Sequence, residues 1–269
     1  MSTFVYEFIS STDERWKEIP LLLDAAARGS SDDLRDALCR AATVLVVSHF
    51  EGFIKDAARA IVDDINKYST FRNTPSQIKR VFCRSFTGAN SSKPTKEENE
   101  REERLIDLLD GLDTKLDADP FTGGTSNPKP DVVERICNSL GASNFFALLN
   151  ESKLDVAFSG TDSDVAELLG LMRTHLLDGV QEFPYKVKPS LFDMGKPHGK
   201  SRSGGGGKAT LWETFLDDLL EKRHVIAHGT SILNRLSDQE IRRLHTKTQL
   251  LMHAVLLAMC GMQLSKANL

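Results

Sequence analysis

The sequence has very little that would build a β-sheet. Alternation of apolar and polar residues bounded by turn residues is almost absent, whereas apolar residues recur at intervals of three and four along most of the 269 positions. A 40% share of hydrophobic residues is enough to bury a sizeable core without disulfides or a structural metal. We therefore expect an all-α protein that folds as a helical bundle.

Cysteine is scarce, and the few cysteines do not cluster. Cys39, Cys83, Cys137 and Cys260 are far apart, and no pair has the CxxC spacing of a zinc or redox site. Reduced and mostly buried thiols are typical of a cytosolic protein. The sequence thus predicts no disulfide framework, no cysteine-based metal centre and no cofactor.

Neither sign of charge dominates. The chain has 34 Lys and Arg against 38 Asp and Glu, so its net charge of −4 gives no general attraction to nucleic acid or to an anionic membrane. Any contact with RNA must come from a local basic patch. The first residues lack a basic region followed by an apolar run, and no stretch approaches the roughly 18 apolar residues of a membrane helix. We expect a soluble, cytoplasmic protein with no membrane partner.

The predicted bundle is built around one long helix. Apolar residues recur every three or four positions over residues 31–68, which predicts a central helix of about 55 Å at 1.5 Å per residue. Before it, Ser11 and Glu14 predict a capping box that opens a first helix ending near Gly29. Further helices are predicted after Pro75 and, beyond a polar gap at 87–95, at residues 96–116, 131–140, 143–149, 161–183, 211–228 and from 237 onwards. Capping boxes are predicted at the starts of the last two helices, with Thr210 and Glu213 in one and Ser237 and Glu240 in the other.

These elements predict a single domain over residues 1–269. Its core is expected at about 31–68 and 129–265, with a helical insertion at 70–118. The stretch 184–209 contains prolines, a run of four glycines and several basic residues, and it is interpreted as a flexible Gly-rich loop without a packed element. A sharper alternative is that this basic loop contacts RNA phosphate through Lys200, Arg202 and Lys208.

A charged residue interrupts the apolar face of the helix that follows this loop. Trp212, Leu219 and Arg223 lie in one row at three-and-four spacing, so the Arg223 guanidinium projects from apolar surroundings and needs a partner. On the long helix, Glu51 lies in a similar apolar row. The two could form an ion pair, and that pair could be purely structural.

Two histidines follow at the C-terminal end of the same helix. His224 and His228 are four residues apart and precede Gly229. A histidine pair at this spacing can share one face and hold zinc, but no cysteine or carboxylate lies close in sequence to complete the site, although His245 or Asp238 could approach in space. Alternatively, His228 is a C-terminal cap whose cation suits the helix dipole. We leave both interpretations open beside a third, catalytic one.

In the catalytic interpretation, Arg223 and His228 cleave an RNA phosphodiester. RNA carries its own nucleophile in the 2′-hydroxyl, so the protein needs an acid or base near neutral pH and a cation for the phosphorane. His228 supplies the first and Arg223 the second. Their five-residue offset turns the side chains about 140° apart on an ideal helix. A symmetric dimer that joins the Arg of one protomer to the His of the other would bring them together.

The same residues resemble a known family. Arg223 to Gly229 reads Arg-His-Val-Ile-Ala-His-Gly, which is similar to the Arg-Asn-x-Ile-Ala-His-Gly pattern of the HEPN superfamily in its RiboL-PSP-HEPN branch. Residues 50–53, Phe-Glu-Gly-Phe, resemble the family's Phe-Glu-x-Phe element, and residues 126–141 resemble its middle segment. The resemblance covers most of residues 31–265.

The resemblance implies a function. It implies an α-helical bundle with Arg223 and His228 as catalytic residues, His224 as an accessory polar residue and Glu51 as a group that orients Arg223. It also implies a homodimer with a composite site, RNA cleavage to a 2′,3′-cyclic phosphate, and a role as a toxin or antiviral effector with an antitoxin or defence-system partner. Histidine replaces the commoner asparagine at position 224, which leaves the role of His224 open. Some members only bind, so a non-catalytic RNA- or protein-binding module is the alternative.

Overall fold

The protein is all-α within the part of the chain that is described. The computed structural model describes residues 2–29, 31–87, 95–112, 114–124, 127–229, 236–262 and 264, and it contains no β-strand there. Short 3₁₀ turns and one isolated β-bridge complete the secondary structure. The α-helices are α1 (Phe4–Trp16), α2 (Glu18–Arg28), α3 (Asp32–Tyr68), α4 (Ser76–Thr87), α5 (Lys96–Asp110), α6 (Pro130–Ser139), α7 (Phe145–Leu149), α8 (Val156–Ser159), α9 (Asp162–Gly179), α10 (Leu211–Ala227) and α11 (Asp238–Gly261). The predicted helical bundle is confirmed.

The central helix α3 has the predicted length and start. The Ser31 hydroxyl caps it by accepting the Leu34 N–H at 3.2 Å, which satisfies one of the free donors of the first turn. By length and composition α3 could also cross a membrane, a test that the core helices of bundles pass as well. Its buried residues pack against α1, α2, α10 and α11. These contacts are those of a core helix.

Helix α11 runs parallel to α3. Near the start of α3, burial and then the charge of Asp238 raise the pKa of Cys39, so the first turn of α11 lies beside it. At the other end, burial and then Asp64 of α3 raise the pKa of Cys260. The charge of Lys222 near the end of α10 is close enough to lower the pKa of Glu240 in the first turn of α11, beside the larger effect of hydrogen bonds with Ser237, so these two helix ends lie at the same end of the bundle.

The N-terminal helix begins earlier than predicted. Thr3 is the N-cap of α1, and the Ser11 hydroxyl lies within the helix and donates to the Phe8 carbonyl at 2.9 Å. The prediction of a capping box at Ser11 is therefore wrong. The predicted end at Gly29 is correct, but the chain breaks at Lys17 into α1 and α2. Pro20 falls in the first turn of α2, where its missing N–H has no intrahelical partner to lose.

Residues 184–194 of the stretch 184–209 are packed, so the prediction that the stretch holds no packed element is wrong for this part, whereas residues 195–209 are mostly exposed. Tyr185, Val187 and Met194 are fully or almost fully buried. The Tyr185 hydroxyl donates to Asp64 at 2.9 Å, which ties this stretch to the end of α3. The prediction failed because it considered the prolines and glycines of the stretch and not the apolar residues between the prolines, which are the ones that become buried.

Helices α4 and α5, in the segment 70–118, form a helical hairpin held by buried charge, and the interpretation of this segment as an insertion stays a prediction. Glu102 of α5 is almost fully buried and accepts from Arg84 of α4 at 2.5 Å, with Arg80 also close. Helix α5 ends at Asp110, earlier than predicted, and Gly111 is its C-cap. The predicted polar gap before α5 lies largely outside the described residues.

All four cysteines are buried as free thiols. Burial raises the pKa of Cys83 to about 11 and raises those of Cys137 and Cys260 well above the usual range. A buried thiol with a raised pKa is unreactive because the thiolate is the nucleophile. The predicted absence of a disulfide framework agrees with these positions.

Candidate functional site

The start of α10 is fixed by a buried carboxylate. Thr210 and Glu213 form the predicted capping box. The Glu213 carboxylate also accepts the backbone N–H groups of Arg202 at 3.2 Å and Ser203 at 2.7 Å. Burial favours the neutral acid, but these hydrogen bonds outweigh it and the pKa of Glu213 is lowered. The Glu213 carboxylate thus links the glycine-rich turn, residues 200–210, to the helix that carries the candidate site.

The apolar row on α10 leads to Arg223 as predicted. Trp212, Leu216 and Leu219 are buried, and Arg223 is half-buried one turn later. Among the residues that the structure describes, the Arg223 guanidinium forms no hydrogen bond and no ion pair. A half-buried cation of this kind can bind an anion without first losing an internal partner.

The two histidines lie side by side at the open end of α10. His224 and His228 are exposed, and their ring centroids are 4.3 Å apart with the ring planes at 52°. His228 is the C-cap, and its N–H donates to the His224 carbonyl at 3.0 Å. Gly229 follows at φ +65°, the left-handed conformation that ends a helix. The structure therefore presents two imidazoles together, with Arg223 on another side of the helix.

Glu51 does not pair with Arg223 in the described chain. Its carboxylate accepts from Lys55, one turn later on α3, at 2.7 Å. Helices α3 and α10 do pack against each other. The supporting role of Glu51 stays a prediction, and the direct ion pair with Arg223 is absent between these described side chains.

The basic residues of the glycine-rich turn have different surroundings. Arg202 donates to Asp217 of α10 at 2.7 Å, whereas Lys200 and Lys208 are exposed. A bridge pairs Ser201 with Lys208, and a Cβ at Gly207 would lie 2.0 Å from the Lys200 carbonyl oxygen. Glycine is required there because the backbone passes so closely. Contact of these three basic residues with RNA stays a prediction.

A metal site at the histidine pair finds no third ligand in the described part of the chain. No group of three or more His, Cys, Asp or Glu is close enough there to hold an ion. His245, which the sequence allowed as a ligand, is buried on α11 and stacks on Trp16 with ring centroids 5.0 Å apart. Asp238 lies 3.9 Å from Arg242. Both residues have other partners.

The buried histidine His245 has a perturbed pKa that sequence reasoning missed. Burial, followed by the charges of His49 and Arg242, lowers the pKa of His245 to about 4. Its Nε2 atom has no hydrogen-bond partner among the described residues. Trp16 lies between the two histidines, stacked on His245 and edge-on to His49. The apolar periodicity of α11 could have indicated burial at position 245, but not the ring from another helix.

Comparison with known proteins agrees with the resemblance seen in the motif. The family model described as RiboL-PSP-HEPN matches residues 10–260, which include Glu51 and the whole of α10. Searches of curated proteins and of solved structures found no match. Since the matched residues span nearly the entire chain and its helical fold, the chain belongs to the RiboL-PSP-HEPN family.

Proposed function

We propose that the protein is a metal-independent endoribonuclease whose site is completed by a second protomer. The observation that carries this proposal is the end of α10, where a half-buried Arg223 without a described partner accompanies two exposed histidines. A guanidinium and an imidazole are the groups that RNA transesterification requires from a protein. Membership of a family generally associated with ribonucleases supports the same chemistry.

The reaction uses the 2′-hydroxyl of the substrate as its nucleophile. His228 removes the 2′-hydroxyl proton, the 2′-oxygen bonds to phosphorus, and Arg223 stabilises the charge of the phosphorane. The bond from phosphorus to the 5′-oxygen then breaks, that oxygen takes a proton from solvent, and His228 returns to solvent the proton that it accepted. The products are a 2′,3′-cyclic phosphate and a 5′-hydroxyl. His224 is 4.3 Å from His228 and supplies a second imidazole beside the reacting atoms.

The proposed assembly is a homodimer with α10 at its twofold axis. Within one protomer Arg223 is half-buried and His228 exposed, on sides of the helix about 140° apart, so one chain does not converge them. Two copies related by a twofold axis would place the Arg of one beside the His of the other. The family context extends the proposal to a toxin or antiviral-defence effector, controlled by an antitoxin or another defence-system protein.

The experiment that tests the proposal is the His228→Ala variant. We expect it to abolish RNA cleavage and the growth inhibition caused by expression, while the dimer stays folded, because the exposed His228 ring supports no buried packing. His198→Ala is a matched control, since His198 is partly exposed and lies outside α10. Cleavage by a clean preparation of His228→Ala would contradict the proposal. Activity that EDTA abolishes would instead indicate a metal-dependent enzyme.

The alternative function is a non-catalytic module that binds RNA or a protein through the same face. It is favoured by the fact that a single chain holds Arg223 and His228 apart. The two functions differ in one result. Absence of cleavage by the wild-type protein, with every RNA tested and in the presence of RNA binding, would favour the module. Sequencing RNA ends after induced expression would show which RNA is cut.

A further inference from the structure

Lys247 is a half-buried lysine whose ammonium faces an aromatic ring instead of a carboxylate. It lies on α11, and its Nζ atom is 4.7 Å from the centroid of the Phe158 ring. In the described chain this ammonium makes no hydrogen bond and no ion pair. Burial, followed by the charge of Arg243, lowers the pKa of Lys247. The Asp162 carboxylate is near enough to act against this shift, but it pairs with Arg243 and not with Lys247 in the described chain. The Lys247 ammonium has therefore lost part of its water without gaining a directly bound anion, which leaves it able to bind one.

The Phe158 ring that Lys247 contacts is itself held by another aromatic side chain. Phe158 of α8 packs edge-on to Trp212 of α10, with ring centroids 4.9 Å apart and the planes at 74°. Trp212 is fully buried, so it fixes the Phe158 ring against the bundle. The Lys247 ammonium therefore lies over a ring that is itself packed against a fully buried side chain.

A second cation, Arg243, lies one turn before Lys247 on the same helix. Its side chain is 64% exposed and is 3.4 Å from Asp162, whose side chain is 77% exposed. An ion pair this exposed contributes only about 0–1 kcal/mol, so a phosphate can take the place of the carboxylate at little cost. Arg243 and Lys247 thus offer two adjacent positive groups on the face of α11.

Lys222 brings the third cation from α10. Both Lys222 and Arg243 are close enough to Glu240 to lower its pKa, in addition to the larger effect of hydrogen bonds with Ser237. The Glu240 carboxylate is already occupied as the N-terminal cap of α11, since it accepts the Ser237 N–H at 2.8 Å. Lys222 directly precedes Arg223 in the chain, so the three cations begin next to the candidate site and continue along α11.

We propose that Lys222, Arg243 and Lys247 form a backbone-phosphate site for the RNA strand that starts beside the last turns of α10 and continues along α11. This inference rests on the proposed function, because it takes RNA as the ligand that reaches the end of α10. Three cations in one strip would give a chain with a net charge of −4 a local attraction for RNA phosphate. These phosphate contacts lie outside Arg223 and the two histidines of α10.

The test measures binding separately from cleavage. In a His228→Ala background, the affinity for a single-stranded RNA oligonucleotide is measured by fluorescence anisotropy at several salt concentrations. We expect Lys247→Gln to weaken binding several-fold and to reduce the slope of log affinity against log salt by about 0.7, the loss of one phosphate contact. Lys247→Arg should restore both values, because it keeps the charge.

Lys67→Gln is the matched control. Lys67 also lies over aromatic rings, 4.8 Å from Phe4 and 4.9 Å from Tyr68, at the other end of α3. Equal binding by Lys247→Gln and its parent would overturn the inference, as would an equal loss in Lys67→Gln or a parent that binds no RNA. A second measurement follows the acetylation of Lys247 in the presence of RNA or of inorganic phosphate. Equal protection by the two, at equal phosphate concentration, would also overturn the inference, because the site would then not prefer an RNA strand. A wild-type protein that binds RNA but never cleaves contradicts only the proposed function.

Discussion

The stacking of His245 on Trp16 couples the stability of the chain to pH. The imidazole is 8% exposed, and burial is the main reason why its pKa falls from 6.5 to about 4. The unfolded chain therefore binds a proton at a pH where the folded chain does not. The contribution of His245 to the free energy of unfolding is fully present above about pH 6.5 and is lost as the pH falls toward 4.

We expect His245→Phe to reduce this pH dependence. A phenyl ring can keep the contact with Trp16 and has no proton to bind, so the variant should lose less stability between pH 7 and pH 4 than the wild type. The difference should be on the order of 3 kcal/mol. Urea unfolding at a series of pH values measures it, with His198→Phe reporting the effect of an added phenyl group. Parallel curves for wild type and His245→Phe would contradict the prediction.

Glu213 joins two elements, and the next prediction concerns that junction. Its carboxylate caps α10 and also receives the N–H groups of Arg202 and Ser203 from the glycine-rich turn. We expect Glu213→Gln to lower the free energy of unfolding by about 1–3 kcal/mol at pH 7, because buried donors lose a charged acceptor. The deficit should shrink as the pH falls through the lowered pKa of Glu213, where the wild-type carboxylate is protonated.

Glu240→Gln is the control for the Glu213 variant. Glu240 occupies the same position in the capping box of α11, but it is exposed and its described hydrogen bonds stay within that box. Its substitution should remove only part of a cap. Hydrogen exchange should therefore increase in the turn at 200–210 for Glu213→Gln alone. Equal exchange there in both variants would show that the carboxylate does not hold the turn.

The helices could be predicted from sequence where local signals decided their ends. The capping boxes at Thr210 and Ser237 marked the starts of α10 and α11, because a cap depends on residues three positions apart. Ser11 and Glu14 have the same spacing but lie inside α1. The start of α1 combines a local cap with a distant one: Thr3 accepts the Tyr6 N–H at 3.0 Å, and Asp64 of α3 accepts the Phe4 N–H at 2.8 Å.

The candidate site could be predicted only in part. Arg223, His224 and His228 share one helix, so their spacing fixed which of them lie together, and the histidine rings indeed meet. The partners of Arg223 and Glu51 depend on how α3 and α10 slide along each other, which periodicity does not determine. The Lys247 and Phe158 contact also joins separate elements and left no signal in either segment.

The composite site makes a prediction about the whole assembly. Arg223→Ala and His228→Ala should each be inactive, but a mixed dimer of the two holds one intact site, with Arg223 from one protomer and His228 from the other. Co-expression at equal levels should restore about a quarter of wild-type RNA cleavage, since half of the dimers are mixed and each has one working site of two. No restoration, although mass spectrometry detects the mixed dimer, would place both groups in one protomer.

The burial of every cysteine gives the molecule a practical property. Because the thiols at 39, 83, 137 and 260 are enclosed and have raised pKa values, maleimide reagents will find no native target on the folded surface. One cysteine introduced on an exposed helix face would carry a spin label or a dye without any native thiol being removed first. Distances between labels on two copies could then be recorded in otherwise wild-type protein.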